Sequence, residues 1–283
     1  MKNSKSLLSE LIDGISLKES ETEKQAIATY LIESICSLSP ADIMSGKSIN
    51  ARNESKLHDA IRRINLNEPL QYILHEAHFF GRKFYVDPAV LIPRPETEEL
   101  VALILDRLNR KDRDQNIVDI ATGSGCIAIT LALELRHVSV SATDVSKDAL
   151  TVARRNSKAL GASVNLVMNN ALADELPVND VDILVSNPPY IAENEKQAMQ
   201  SNVVDYEPHL ALFVPDNNPL VFYEAIVGHG VKHLRSGGLL AVEINERFGK
   251  EVAAMMINSS FRHVELLKDL AGKDRFVFSR KGD

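Results

Sequence analysis

The chain is predicted to be α/β: a mostly parallel sheet with an antiparallel C-terminal edge, preceded by a small N-terminal α-helical domain. Short apolar runs at 117–121, 138–143, 164–168, 181–186 and 238–244 alternate mostly with helix-length segments, the mark of a sheet covered on both faces. The tail, 261–280, instead reads as two strands joined by a turn containing Gly272. The first 75 residues carry only helical periodicity. A length of 283 residues favours two domains, and 45% hydrophobic with 25% charged residues suits a folded chain with a sizeable core.

In chain order, Leu7, Leu8, Leu11, Ile12 and Ile15 mark a first helical face. Ser20 with Glu23 makes a capping box for a second helix, whose face is Ile27, Leu31, Ile32 and Ile35. Ser39-Pro40 is an N-cap followed by a proline in the first turn, and Ile61, Ile64 and Leu66 continue the pattern. Residues 1–76 are therefore expected to form a helical domain, and because it carries no ionisable cluster that stands out, its expected role is a docking or substrate-recognition module. Aromatic and β-branched residues around Gly81 predict a hairpin with its turn at 81–83, placing a β-hairpin linker at 77–94. Pro95, Glu96, Glu98 and Glu99 give the acidic first turn of a helix running to about Arg110, and 95–283 are expected to form the second domain.

Lys+Arg 32 against Asp+Glu 39 leaves a net charge of −7, which disfavours a protein that binds by neutralising many phosphates. Cys36 and Cys126 lie ninety positions apart without zinc spacing, as free thiols in a reducing compartment do. The N-terminal apolar run is broken by Ser9, Glu10 and Asp13, unlike a signal peptide, and no run approaches the roughly 20 apolar residues of a membrane span. A cytoplasmic protein that engages no membrane is expected.

Asp119-Ile120-Ala121-Thr122-Gly123-Ser124-Gly125 joins the first strand to a helix. Glycines here let the backbone approach a ligand, which then faces the free N–H groups of the helix start. Nineteen residues on, Asp144 ends the second apolar run, where a carboxylate can accept both hydroxyls of a ribose. The segment Gly123 to Ala128 also satisfies G-x-G-x-x-G/A, so a nicotinamide dinucleotide must be weighed. Asp119 tips the balance, since it would repel a pyrophosphate but not the ammonium and sulfonium groups of S-adenosyl-L-methionine.

Asn187-Pro188-Pro189-Tyr190 follows the fourth apolar run. Paired prolines fix φ and donate nothing, so the Asn side chain and nearby carbonyls remain to accept. An Asn oxygen and a proline carbonyl can hold the two N–H bonds of a planar NH₂ group while Tyr190 stacks on its face. The site suits an amide or an exocyclic amine.

NPPY with the loop DIATGSG resembles the class I amino-methyltransferases that use S-adenosylmethionine. Glu68 to Ile73 (EPLQYI), Phe84 to Glu98 (FYVDPAVLIPRPETE), NPPYI, Tyr206-Glu207-Pro208 with Ala211-Leu212, and Lys268 to Arg275 (KDLAGKDR) narrow the likeness to the bacterial peptide chain release factor glutamine methyltransferases, over nearly the whole chain. The resemblance implies a Rossmann-like class I methyltransferase fold with a seven-stranded sheet. It implies methylation of the glutamine amide in the Gly-Gly-Gln motif of class 1 release factors, with S-adenosyl-L-methionine as cofactor and the helical domain contacting the factor. Asn187, Pro188, Pro189 and Tyr190 are then the catalytic set. Ala121, Thr122, Gly123, Ser124, Gly125, Asp144, Asn170, Ala171 and Asn187 bind the cofactor, and Arg94, Glu96, Thr97 and Glu98 are candidates to organise the site. Four places depart from the family pattern: Ala121 replaces the first loop glycine, His75 a glycine, Asn170 an acid that meets the adenine amine, and Glu246-Arg247-Phe248 a Gly-x-Gln.

His229 and His233 are i,i+4 on a helix, but no HExxH glutamate or obvious third ligand accompanies them, so no metal is expected. The alternatives are an NPPY-type amino-methyltransferase acting on a nucleobase of DNA or RNA, and a non-catalytic adaptor. The first wants a basic groove that this acidic chain lacks, and the intact Asn187, Gly123, Gly125 and Asp144 speak against the second. A monomer without direct sequence-specific nucleic-acid contact is expected.

Overall fold

The computed structural model describes residues 1–108 and 114–283. They fall into two units: Met1–Glu76 with Gln200–Tyr206, and Ala77–Met199 with Glu207–Asp283. In the first unit, helices Ser4–Gly14, Glu21–Cys36 and Ala51–Ile64 turn Leu7, Leu11, Leu31, Ile32, Leu57 and Ile61 into a common core. Their starts follow from local chemistry. The Asn3 side chain accepts from Lys5 and Ser6 N–H, and Ser20 and Ser39 each form a capping box with Glu23 and Asp42. The short helix Ser201–Tyr206 joins this unit through Asn67 donating to the Ser201 hydroxyl (3.1 Å) and the Tyr206 hydroxyl donating to the Leu66 carbonyl (2.7 Å). Nothing in the helical periodicity of residues 1–75 announces that piece.

In the second unit, strands Ala77–Phe79 and Arg82–Phe84 form the hairpin, with its turn at Phe80-Gly81 rather than 81–83. Both turn residues have positive φ (49° and 73°), the two-residue turn that matches the twist of paired strands. Phe79 and Phe84 meet edge to face with centroids 5.9 Å apart and are buried in this unit's own core. The helix Pro95–Arg107 follows; its expected end at Arg110 lies outside the described residues.

The sheet contains β1 (Gln115–Ile120), β2 (Val138–Asp144), β3 (Val164–Met168), β4 (Val181–Ser186), β5 (Leu234–Glu243), β6 (Phe261–Lys268) and β7 (Asp274–Lys281). Its order is β6-β7-β5-β4-β1-β2-β3, parallel except for β7, which runs antiparallel to both neighbours. β4 is buried at every position, as expected between two helical layers. Helices Pro95–Arg107 and Cys126–Glu134 cover one face over Ile117, Ile183 and Phe276. Val221–His233 and Gly249–Asn258 cover the other over Val118, Leu184 and Val242. Because Ile120 pairs with Thr143 and Ser186, and Val242 with Ser186, the carboxyl ends of β1, β2, β4 and β5 share one edge. The strand order reverses between β1 and β4, where open α/β sheets leave a crevice for ligand. Among the described residues no helix is long and apolar enough to cross a membrane.

Candidate functional site

That edge opens into a cavity of about 380 Å³. Ala121, Thr122, Gly123, Ser124, Asp144, Asn170, Ala171, Asn187 and Pro189 line it, with Arg94 and Thr97; Gly125, Pro188, Tyr190, Glu96 and Glu98 do not.

The loop after β1 is built by Asp119. Its fully buried carboxylate accepts from the Thr122 hydroxyl (2.5 Å) and the Ala128 N–H (3.3 Å), folding the loop back onto the helix start. Burial pushes this carboxyl up to about 7, against the two hydrogen bonds that hold it down. Asp119 does not line the cavity; it shapes the loop from behind. Gly123 has φ +55° and a Cβ there would meet nothing within 4 Å, because the residue faces open space. Gly125 is a packing glycine: at φ +81° a Cβ would come within 2.8 Å of Ile129 Cδ1 and 3.2 Å of Ala153 Cβ. Ala121 has φ +58°, a left-handed conformation that strains any residue with a Cβ. The methyl in place of glycine therefore costs backbone energy in addition to occupying space beside the cavity.

Asp144, at the end of β2, accepts from Gly123 N–H and Ser146 N–H, each at 2.9 Å, one on each oxygen. Burial raises its carboxyl above the ordinary range, opposed by those bonds. Each oxygen retains a lone pair for a hydroxyl donor. After β3, the Asn170 side chain is occupied, accepting from Leu172 N–H at 3.1 Å. Its neighbour Asn169, which the sequence reading passed over, is buried, lines the cavity and carries an Oδ1 without a hydrogen-bond partner among the described residues. A buried acceptor left over beside a cavity calls for a donor from a ligand. These features fit a nucleoside: ribose hydroxyls on Asp144 and an exocyclic amine at Asn169.

The NPPY segment leaves β4 toward the same cavity. Asn187 Nδ2 donates to Thr97 Oγ1 (3.0 Å), Thr97 Oγ1 donates to Glu243 Oε2 (2.7 Å), and the Tyr190 hydroxyl donates to Glu243 Oε1 (3.1 Å). Glu243, the last residue of β5, is fully buried; burial pushes it up to about 7, against the Thr97 and Tyr190 hydrogen bonds and the nearby Arg275 charge. A carboxylate can only accept, so the Thr97 proton points at Glu243 and the Thr97 lone pair faces Asn187. Asn187 must then present its NH₂ to Thr97, which frees Oδ1 to accept elsewhere. Tyr190 is anchored at Glu243, one layer behind the cavity. Sequence reasoning missed Glu243, although a carboxylate closing the apolar run LLAVE repeats the signal that picked out Asp144.

Arg94 pairs with Glu207 (2.5 Å), whose other oxygen accepts from Ile92 N–H (3.2 Å). This ties the turn before Pro95 to the segment after Tyr206. Cys126 opens the loop-following helix, and burial pushes its thiol up to about 12, so it is inert at neutral pH.

Fold and site together define a class I methyltransferase. The structure is similar to a methyltransferase from Pyrococcus furiosus (TM-score 0.52, 19% identity, covering 80% of this chain and 99% of that one). It is also similar to the T. thermophilus 16S rRNA N2 G1207 methyltransferase solved with AdoMet and guanosine (TM-score 0.54, 16% identity, 73% and 49%). At these identities the likeness is one of fold. Residues 96–209 match the methyltransferase small domain family. Over nearly its full length the chain is 43% identical to the release factor glutamine methyltransferase of Bacteroides thetaiotaomicron (263 residues; 92% of this chain, 93% of the relative). It is 40% identical to that of Flavobacterium psychrophilum (261 residues; 91% and 92%). The chain belongs to the release factor glutamine methyltransferase family.

Proposed function

We propose that this protein transfers a methyl group from S-adenosyl-L-methionine to the side-chain amide nitrogen of the glutamine in the Gly-Gly-Gln motif of class 1 peptide chain release factors. The observation that carries the reading is the hydrogen-bond chain from Glu243 through Thr97, which leaves Asn187 Oδ1 as an acceptor at the cavity. When bound, the cofactor supplies an electrophilic methyl group on a sulfonium.

Asp144 holds the ribose hydroxyls, Asn169 accepts from the adenine amine, and residues 121–124 with Asn170 and Ala171 shape the surrounding wall, with Gly125 packed behind them. Asn187 Oδ1, at the cavity, accepts one N–H bond of the substrate amide, and the family resemblance assigns the other to the Pro188 carbonyl, which lies just outside the cavity lining. Its nitrogen lone pair is delocalised, and hydrogen bonds accepted from the N–H groups favour a pyramidal, electron-richer nitrogen as the new bond forms. Holding that nitrogen in place removes roughly 7–11 kcal/mol of barrier at the upper end. No strong general base is needed, because the nitrogen becomes acidic once it is methylated. The N-terminal unit recognises the release factor, and a translation factor as substrate places the reaction in the cytoplasm.

Incubation with labelled S-adenosylmethionine and a purified release factor is expected to label the glutamine of the Gly-Gly-Gln loop. An unlabelled factor beside labelled DNA or tRNA would sink the reading.

A further inference from the structure

The helix Val221–His233 buries two histidines, His229 and His233, on one side, and the tertiary structure brings to them the third ligand that their spacing lacks. Glu175 comes from the segment between β3 and β4, and one donor atom from each of the three residues lies within 4.8 Å of the others. The imidazole rings are 5.9 Å apart, centroid to centroid. Around an ion with 2.0–2.1 Å bonds, tetrahedral donors sit about 3.4 Å apart. Glu175 is exposed and its Oε1 is ion-paired with Lys232 at 2.5 Å, so an ion would draw Oε2 inward by a side-chain rotation that loosens this surface pair.

Each histidine also has the outer partner that metal-bound imidazoles use. His229 Nε2 bonds the Ala171 carbonyl at 2.8 Å, and His233 Nδ1 bonds Asn179 Oδ1 at 3.0 Å. A carbonyl only accepts, so His229 Nε2 carries the ring proton and Nδ1 keeps the lone pair. With Asn179 Oδ1 accepting from Nδ1 of His233, its Nε2 lone pair faces Glu175 Oε2 at 3.1 Å. Two acceptors at that distance need a proton or a cation between them.

The cluster is wired to the cofactor cavity at two points. The carbonyl held by His229 belongs to Ala171, which lines it. The Glu175 backbone carbonyl accepts from Asn169 Nδ2 at 2.9 Å, fixing the amide whose Oδ1 is the unpartnered acceptor.

We propose that Glu175, His229 and His233 bind a divalent transition-metal ion of the zinc class, and that its occupation stiffens the 169–175 segment and tightens cofactor binding. The metal site stands on these residues alone; its coupling to the cofactor rests on the function proposed above.

The test titrates the metal-stripped full-length chain with zinc by calorimetry and with cobalt by visible absorption, without cofactor. One ion per chain at micromolar Kd or tighter is expected, with cobalt bands of a low-coordinate nitrogen and oxygen set. Glu175→Gln, at an exposed position that leaves the fold intact, weakens binding at least about tenfold, as does His233→Ala, whereas His58→Ala changes nothing. A Kd weaker than about 100 μM, or one that Glu175→Gln and His233→Ala leave unchanged, overturns the site. Saturating zinc should tighten the S-adenosylmethionine Kd about fivefold in the unaltered chain and not in Glu175→Gln. Zinc binding with an unchanged cofactor Kd overturns the coupling. Failure to bind cofactor under any condition strikes the functional reading and leaves the metal titration standing.

Discussion

Replacing Glu243 by Gln isolates the hydrogen-bond chain behind Asn187. The carboxylate accepts from both Thr97 (2.7 Å) and Tyr190 (3.1 Å), and a glutamine amide offers one acceptor and one donor for those two donors. Thr97 is the partner that yields, because it has Asn187 at 3.0 Å to which it can donate instead. Thr97 then accepts from Gln at position 243 and donates to Asn187 Oδ1, and the Asn187 amide turns over to present NH₂ where the substrate needs an acceptor. Restoring the productive orientation costs about one hydrogen bond to a charged group, roughly 1.5–3 kcal/mol. Since 1.4 kcal/mol is a factor of ten, kcat should fall about 10- to 100-fold, with cofactor affinity held within about twofold.

The pH profile distinguishes positioning from a loss of folding. With its carboxyl pushed up to about 7 by burial, Glu243 accepts from both partners only above that pH, so wild-type kcat should rise from pH 6 to 8. The Glu243→Gln variant should be low and flat over that window. Its thermal midpoint at pH 8 should be no lower than wild type, since Gln removes a buried ionised carboxylate. Initial rates at saturating cofactor, calorimetric cofactor binding and thermal melts together decide the matter. Wild-type kcat in the variant, or a loss of activity that tracks loss of cofactor binding or of fold, would refute the reasoning.

Ala121→Gly should stabilise the chain by about 0.5–1 kcal/mol in denaturant titration, since relief of the left-handed strain at φ +58° exceeds the added chain entropy. Gly125→Ala should destabilise it by about 2–3 kcal/mol because the new Cβ meets Ile129 and Ala153, whereas Gly123→Ala should cost the fold only about 1 kcal/mol and mainly weaken cofactor binding; equal effects on stability would contradict that division. Asp119 keeps its proton up to about 7 in the folded state and loses it near 4 when unfolded, so between those values the folded chain binds more protons and stability falls as pH rises. Its share is roughly 4 kcal/mol, and Asp119→Asn should flatten the stability profile between pH 4 and 7; an unchanged slope would show that the carboxyl is ionised throughout.

Period and punctuation alone carried much of the architecture. Five apolar runs alternating with helical segments, then a hairpin around Gly272, specify a parallel sheet with an antiparallel edge, because strand and helix periods are local properties of the chain. Ser20 with Glu23 and Ser39 with Asp42 cap helices through contacts three residues apart, so they are legible for the same reason. The loop glycines and Asp144 are legible because the carboxyl end of a buried parallel strand is the one place where such residues are unusual. The hairpin turn fell one residue early because aromatic Phe80 accepts positive φ in the observed turn, a conformation its residue type does not advertise.

What the tertiary structure alone decided joins distant parts of the chain. Thr97, Asn187, Tyr190 and Glu243 meet over as many as 146 positions, since β4 and β5 are neighbours and the helix Pro95–Arg107 packs against β5. Asn169 rather than Asn170 carries the unpartnered acceptor, because a turn satisfies one amide locally and leaves the other inside. Ala121 is strained by its backbone angle and not only crowded by its methyl, and Glu175 bonds His233 and comes within 4.8 Å of His229, both more than fifty residues away. Sequence determined which chemistry the chain carries, as a loop, a carboxylate and an NPPY segment. The direction of each hydrogen bond, and so which atom of Asn187 is left to the cavity, depended on a buried carboxylate that only strand order brings into place.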